Sequence, residues 1–298
     1  MDNLQGNKRL RLFYPRPTLT DSDARQILYG LNQFSVTRQA TYSKLNPGNE
    51  IDMVIYVNGL PIFTLELKNP WTGQTAKYDA IKQYRDDRDP RDPLLMFGRC
   101  IAHFALDKDE IYFCTKLNGK KSFFMPFNQG LPNGQGAGNP INPTGHKTSY
   151  LWERILCKDV IADIISNFAM LDYGEAKTRK VVPHILRNAK KLIFPRYHQL
   201  DVVTRLLDEV GTKGVGGQYL IQHSAGSGKT NSISWLAFKL IKVTPKTMDA
   251  ARAKAIDKQL YQSVIIVTDR KVLDTQLTWN VKVFAPGKNI VAHADSSS

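Results

Sequence analysis

Residues Glu50 to Pro70 read EIDMVIYVNGLPIFTLELKNP, two strand-like runs meeting at Asn58-Gly59 with an Asp, a Glu and a Lys set among apolar residues. Asn-Gly between alternating hydrophobics is a hairpin signal. A three-residue turn Val57-Asn58-Gly59, with Gly59 left-handed, puts Tyr56 opposite Leu60 and Asp52 opposite Thr64, so that Asp52, Glu66 and Lys68 share one face. A plain two-residue turn shifts the register by one and sends Asp52 to the face opposite Glu66. A shared charged face therefore requires the longer turn or a bulge. The other face, Ile51, Met53, Ile55 and Val57 with Pro61, Phe63, Leu65 and Leu67, is apolar and is expected to pack on helices.

Two neighbouring carboxylates repel unless a cation lies between them, and hard oxygen ligands suit Mg²⁺. A lysine two residues past the glutamate can orient water or offset charge developing on a phosphate. The spacing, with Ile51 before Asp52, resembles the PD-(D/E)xK nuclease superfamily. The bland alternative is an amphipathic hairpin with a salt-bridged face.

The chain has 298 residues, room for about two domains with real cores. Its net charge of +14 favours a polyanionic partner such as nucleic acid. Cys100, Cys114 and Cys157 are odd in number and widely spaced, which argues against a disulfide framework or a zinc site. No signal-like or membrane-spanning apolar run is evident, so a soluble, cytoplasmic protein is expected.

Taken in order, Leu19 to Asn32 has a helical pattern, with Thr20 or Asp21 as N-cap and Ile27, Leu28 and Leu31 on the side expected to cover the sheet. Phe34 to Tyr42 reads as a strand, and Gln74 to Asp87 as a helix behind the charged hairpin. Leu94 to Leu106, Glu110 to Thr115 and Ser122 to Pro126 read as further strands. Gln129 to Thr148 is a Gly-, Pro- and Asn-rich loop. Ser149 to Leu171 is amphipathic, a bridge out of the first domain that breaks near Lys158.

A second signal lies at Gln218 to Phe238. QYLIQH is expected to be a buried strand, SAGSG a phosphate loop, and Lys229-Thr230 the start of a helix. Gly226, Ser227 and Gly228 would let backbone N–H groups close on phosphates, Lys229 would reach the β- and γ-phosphates of ATP, and Thr230 would bind Mg²⁺. His223 stands where the full GxxxxGK[ST] pattern has its first glycine. Gln262 to Asp269 reads as a buried parallel strand, and Thr244 to Gln259 as an insertion helix. His103, His146, His184, His198 and His293 show no metal-ligand spacing and are read as structural or surface residues.

Several segments add resemblances. Related nucleases carry a QxxxY motif behind the catalytic strand, for which Gln83 is favoured over Gln74. Gln199, in FPRYHQ, resembles the adenine-reading Q-motif of superfamily 2 helicases, and VIIVTDRKVLDTQL resembles helicase motif Ia. With MPFNQG, TSYLWERIL and HSAGSGKT, these stretches make the chain similar to the restriction (R) subunit of type I restriction-modification enzymes. The resemblance implies an α/β fold: a PD-(D/E)xK domain, mixed sheet flanked by helices, at 1–150, a helical linker at 151–180, and part of a RecA-like P-loop domain at 181–298. It implies catalytic Asp52, Glu66, Lys68 and Gln83, with metal at Asp52, Glu66 and Thr230. It also implies Mg²⁺ and ATP, double-stranded DNA, and methyltransferase (M) and specificity (S) subunits. Without Walker B or later motor motifs in sight, a fragment is expected. The rival reading is a DNA-binding motor whose ExK-type module does not cut.

Overall fold

The computed structural model describes residues 11–18, 21–44, 46–172, 191–245, 259–268 and 277. A six-stranded sheet runs in the order β1 (Phe34–Thr41), β2 (Glu50–Val57), β3 (Leu60–Leu67), β4 (Ala102–Leu106), β5 (Ile111–Cys114) and β6 (Met125–Pro126). Every neighbouring pair is antiparallel except β3 and β4, which run parallel. A parallel pair needs a crossover. Here it contains a π-helical turn, Ala76–Ala80, that continues into α2 (Ile81–Asp86). The Asp107 carboxylate, just past β4, accepts from the Ala76 N–H at 2.7 Å and so ties the start of that helix to the strand. The expectation of a mixed sheet flanked by helices holds for this part of the chain.

Both faces of the sheet are covered, and β4 is buried along its whole length. On one face Phe63, Phe104, Phe113, Phe127 and Phe194 form a cluster with ring centroids 5.2–6.3 Å apart, in the edge-on and tilted arrangements aromatic rings prefer. Each such ring contributes about 1.5–3 kcal/mol through burial. Leu151, Ile155, Ile161, Ile164 and Phe168 join that core. They come from two π-helical turns, Leu151–Ile155 and Ile164–Phe168, and from α3 (Lys158–Asp163) between them. The expected break near Lys158 is present at Leu156-Cys157. This segment packs on the sheet.

Beyond it a small hairpin, β7 (Met170–Asp172) with β8 (Lys191–Ile193), leads to α4 (Tyr197–Lys213) and α5 (Lys229–Leu240). Fully buried Trp235 of α5 donates its ring N–H to the Phe168 carbonyl at 3.1 Å, which anchors this helix to the sheet's helical layer.

Several expectations are corrected. The first helix is shorter, α1 (Asp23–Gly30), with Ser22 at the cap position, while Asp21 accepts from the Thr18 N–H instead. It covers no sheet face, and Ile27 and Leu31 are exposed. Asn32, just past the helix, accepts from the Asn58 amide at the hairpin tip, so α1 sits at the end of the strands. Of Leu94–Leu106 only Ala102–Leu106 is strand, because Asp92, between Pro90 and Pro93, captures the Leu95 and Met96 N–H groups in turns. Neither 218–223 nor the described part of 262–269 forms a strand, and Leu220, Ile265 and Val267 are at least 85% exposed. A central parallel strand depends on ladder partners and on helices over both faces. Among the described residues these two segments have no ladder partner. Residues 246–258, which hold most of the expected insertion helix, lie outside the described residues, as do Arg270, Leu273, Asp274, Gln276, His184 and His293.

Candidate active site

The hairpin reaches its charged face by the second of the two routes. Val57 pairs with Leu60, so the turn has two residues, with Asn58 and Gly59 at φ of 51° and 77°. Both central residues are left-handed, as the right-handed twist of a tight hairpin demands. Asn58 tolerates this because its side chain is engaged, accepting from the Gln33 N–H at 2.7 Å and donating to the Leu12 carbonyl at 2.9 Å. The ladder then slips: Tyr56 faces Pro61 but Ile55 faces Phe63, leaving Ile62 as the extra residue of a bulge. Thr64 lies opposite Val54, not Asp52 as expected, a shift of two that preserves the face. Continuing the ladder past Met53–Leu65 puts Asp52 opposite Glu66. Two apolar-face expectations change too. The bulge moves Pro61 to the other side, and Ile51 is buried with Ala40 in the opposite cluster, where the β1–β2 ladder skips Gln39 at φ 46°.

Glu66 is fully buried. Its Oε1 accepts from Arg88 Nε at 2.8 Å and lies 2.7 Å from Arg88 Nη2, while its Oε2 is buried without a hydrogen-bond partner. Burial pushes the Glu66 carboxyl up, to about 8, against the pull of the Arg88 guanidinium and with a further upward push from the nearby Asp52 charge. Asp52 Oδ2 accepts from the Leu67 N–H at 2.7 Å, which holds this carboxylate against the strand that carries Glu66. The Lys68 N–H donates to the Leu106 carbonyl at 2.9 Å and extends the β3–β4 pairing. Its ammonium has no hydrogen bond or ion pair among the described residues. The side chain lines a cleft with Met53, Leu67, Trp71, Lys108 and Trp152.

Behind the hairpin is a buried polar relay. Thr64 Oγ1 is 2.8 Å from both the Tyr84 hydroxyl and His103 Nδ1. Burial holds the His103 imidazole down, to about 3, so it is neutral across the ordinary pH range. Gln83, next to Tyr84 on α2, is half-buried with an unpaired buried Oε1, whereas Gln74 is exposed ahead of the helical turn. Arg88 was not singled out in the sequence. It lies in RDDRDPRDP, which looks like a solvated charge run, but Ile81, Tyr84 and Arg88 fall at helical spacing on one side, with Ile81 and Tyr84 in the core.

The donor set fits a small hard cation. Among the described residues no group of three or more His, Cys, Asp or Glu side chains converges. Mg²⁺ is commonly held by one or two carboxylates, with water and substrate phosphate completing its shell. Asp52 and the free Oε2 of Glu66 match that need.

The residues expected to form a phosphate loop are a separate feature. Gly226 and Gly228 take φ of 73° and 82°, and α5 starts at Lys229. Lys229 Nζ donates to the His223 and Ser224 carbonyls, at 2.9 and 3.2 Å, spanning the loop where phosphates would lie. Gln199 is buried against it, with Nε2 donating to the Ser227 and Gly228 carbonyls at 3.2 and 2.9 Å and Oε1 accepting from the Arg196 N–H. Ser227 Oγ is buried and unpaired, and Thr230 is half-buried in the first turn of the helix.

Comparison with known proteins starts from this geometry. Residues 10–122, which hold the sheet from β1 to β5, the crossover and every carboxylate discussed above, match the family model described as type I restriction enzyme R protein N terminus. Over this stretch the chain is similar to type I restriction R proteins. It is 23% identical over 271 residues, 88% of its length, to the type I restriction enzyme HindI endonuclease subunit of Haemophilus influenzae. Over 231 residues, 76% of its length, it is 24% identical to a provisionally named type I restriction enzyme MjaVIIIP endonuclease subunit of Methanocaldococcus jannaschii. These alignments span 22% and 19% of the two relatives. The resemblance to R subunits read from the sequence therefore stands. No described helix is long and apolar enough to cross a membrane.

Proposed function

We propose that this chain contributes the nuclease of a type I restriction enzyme, cutting double-stranded DNA with Mg²⁺ bound at Asp52 and Glu66. The observation that supports it most is Glu66 itself. A carboxylate is buried beside a second carboxylate, with one oxygen left unpaired, on a strand whose bulge is what brings the two together. Burying an unpaired charged oxygen costs several kcal/mol unless something completes it. A bound Mg²⁺ would supply an activated water and a polarised phosphodiester. The chain's own residues do the rest. Asp52 and Glu66 hold the cation, Leu67 N–H steadies Asp52, and Lys68 offers its uncommitted ammonium to the water and the scissile phosphate. Gln83 offers its unpaired amide oxygen from the helix behind. The +14 net charge draws the DNA in.

The phosphate loop belongs to the same reading. Gly226, Ser227, Gly228, Lys229 and Thr230 would take ATP with Mg²⁺, Gln199 would brace the loop beside the base, and ATP would drive DNA translocation. M and S subunits would set the target sequence, in the cytoplasm. The non-cutting reading draws on the Arg88–Glu66 pair, which already compensates the buried carboxylate without metal. A module of that kind would bind DNA equally well after chelation.

The test is cleavage of circular DNA by the R subunit assembled with its M and S partners, wild type against Lys68→Ala, with ATP hydrolysis followed in the same reactions. Cutting abolished with hydrolysis intact is the expected result. Cutting by Lys68→Ala at the wild-type rate refutes the assignment.

A further inference from the structure

Arg88 approaches Glu66 in an unusual manner. Its Nε and Nη2 both lie within 2.8 Å of the same oxygen, Oε1, although a guanidinium and a carboxylate can meet fork to fork through both oxygens. Both side chains are almost wholly withdrawn from solvent, at 6% and 0% exposed. The guanidinium carbon sits 5.6 Å from the centre of the Tyr42 ring, which backs Arg88 from β1's end of the sheet. One carboxylate oxygen is thus pinned twice, and the other is left with no partner beside Asp52.

We propose that Arg88 is a positioning residue for the divalent cation: by seizing Glu66 through Oε1 alone it fixes the carboxylate with Oε2 free to complete a metal site with Asp52. This rests on the nuclease reading above and extends it to a residue 22 positions beyond Glu66 in the chain. The charge count is consistent. When both carboxylates are ionised, as they are when they ligate a metal, two carboxylates and one guanidinium leave a net charge of −1 to face a dication, while the guanidinium lowers the cost of burying Glu66 in that state. A side chain that merely competed with the metal for Glu66 would act with the opposite sign, since its removal would tighten metal binding.

That sign is measurable without activity. Mn²⁺ binding to the 298-residue chain is titrated by calorimetry for wild type, Arg88→Met, Arg88→Lys and Asp52→Ala. Loss of a partner that orients a metal ligand weakens affinity by about 10–100-fold. Arg88→Met is expected to fall in that range, with Arg88→Lys recovering most of the affinity because an ammonium can still hold Oε1. Unchanged or tighter binding by Arg88→Met overturns the proposal. If that variant does not fold, Tyr42→Leu removes the ring behind the guanidinium and keeps the ion pair; it is expected to weaken binding in the same direction, and wild-type affinity there overturns the proposal equally. The nuclease reading fails separately. If wild type binds no Mn²⁺, or Asp52→Ala binds as tightly, the metal centre itself is refuted and the role of Arg88 falls with it. Binding lost in Asp52→Ala but kept in Arg88→Met refutes the role of Arg88 alone.

Discussion

Replacing His103 by Asn tests the buried relay behind the hairpin through its pH dependence. The imidazole is fully enclosed, with Nδ1 2.8 Å from Thr64 Oγ1, and burial lowers it from 6.5 to about 3. The unfolded chain therefore takes up a proton near pH 6.5 that the folded chain refuses until about pH 3. Between those values the unfolded state binds more protons, so stability is lost as pH falls, at about 1.4 kcal/mol per pH unit. From pH 6.5 down to about 4.5 this one group costs on the order of 2 kcal/mol. His103→Asn keeps an amide near the Nδ1 position to meet Thr64 but has nothing to titrate. The assay is urea denaturation of wild type and variant at both pH values. Carboxylates common to the two chains cancel in the difference, as does any cavity left by the smaller side chain. The variant should lose about 2 kcal/mol less than wild type on acidification. Equal losses would mean that His103 is solvated or protonated in the fold, and the relay as described would be wrong.

Two further substitutions probe other parts of the fold. Phe194→Ala removes a ring that contacts Phe63, Phe104, Phe113 and Phe127 and should cost about 3–5 kcal/mol in chemical denaturation; a loss under about 1 kcal/mol would show that the segment after β8 does not pack on the sheet. Gly228→Ala puts a Cβ 2.5 Å from Gln199 Nε2 at a φ of 82° and should weaken binding of a fluorescent ATP analogue by roughly tenfold; unchanged affinity would mean that this loop does not hold the nucleotide.

Much of the hairpin was legible because its logic is local. Asn58-Gly59 marks the turn, and the demand that Asp52 and Glu66 share a face requires a longer turn or a bulge. Which of the two occurs depends on Ile62, whose carbonyl accepts from the Ile101 N–H across the sheet, a contact between residues 39 positions apart. Arg88 was illegible for a related reason. In RDDRDPRDP each arginine looks alike, and only the placement of α2 over the sheet selects one of them to enter the core beside Glu66. The segments 218–223 and 262–269 carry the apolar composition of buried strands, but composition gives a strand its preference and not its partners. The helical pattern of 19–32 was genuine, yet amphipathicity says that a helix wants an apolar neighbour, not where that neighbour is.

The bulge at Ile62 makes the site a matter of odd and even. Inserting or deleting one residue between Asp52 and Glu66 would turn one carboxylate through the sheet as surely as a frameshift garbles a message, even if every remaining side chain were suitable. Adding or removing two would spare the pairing. The hairpin's chemistry thus constrains how many residues it has more tightly than which residues they are. Its tolerance to change in length should come in steps of two, with substitutions at Pro61 or Ile62 far gentler than their loss.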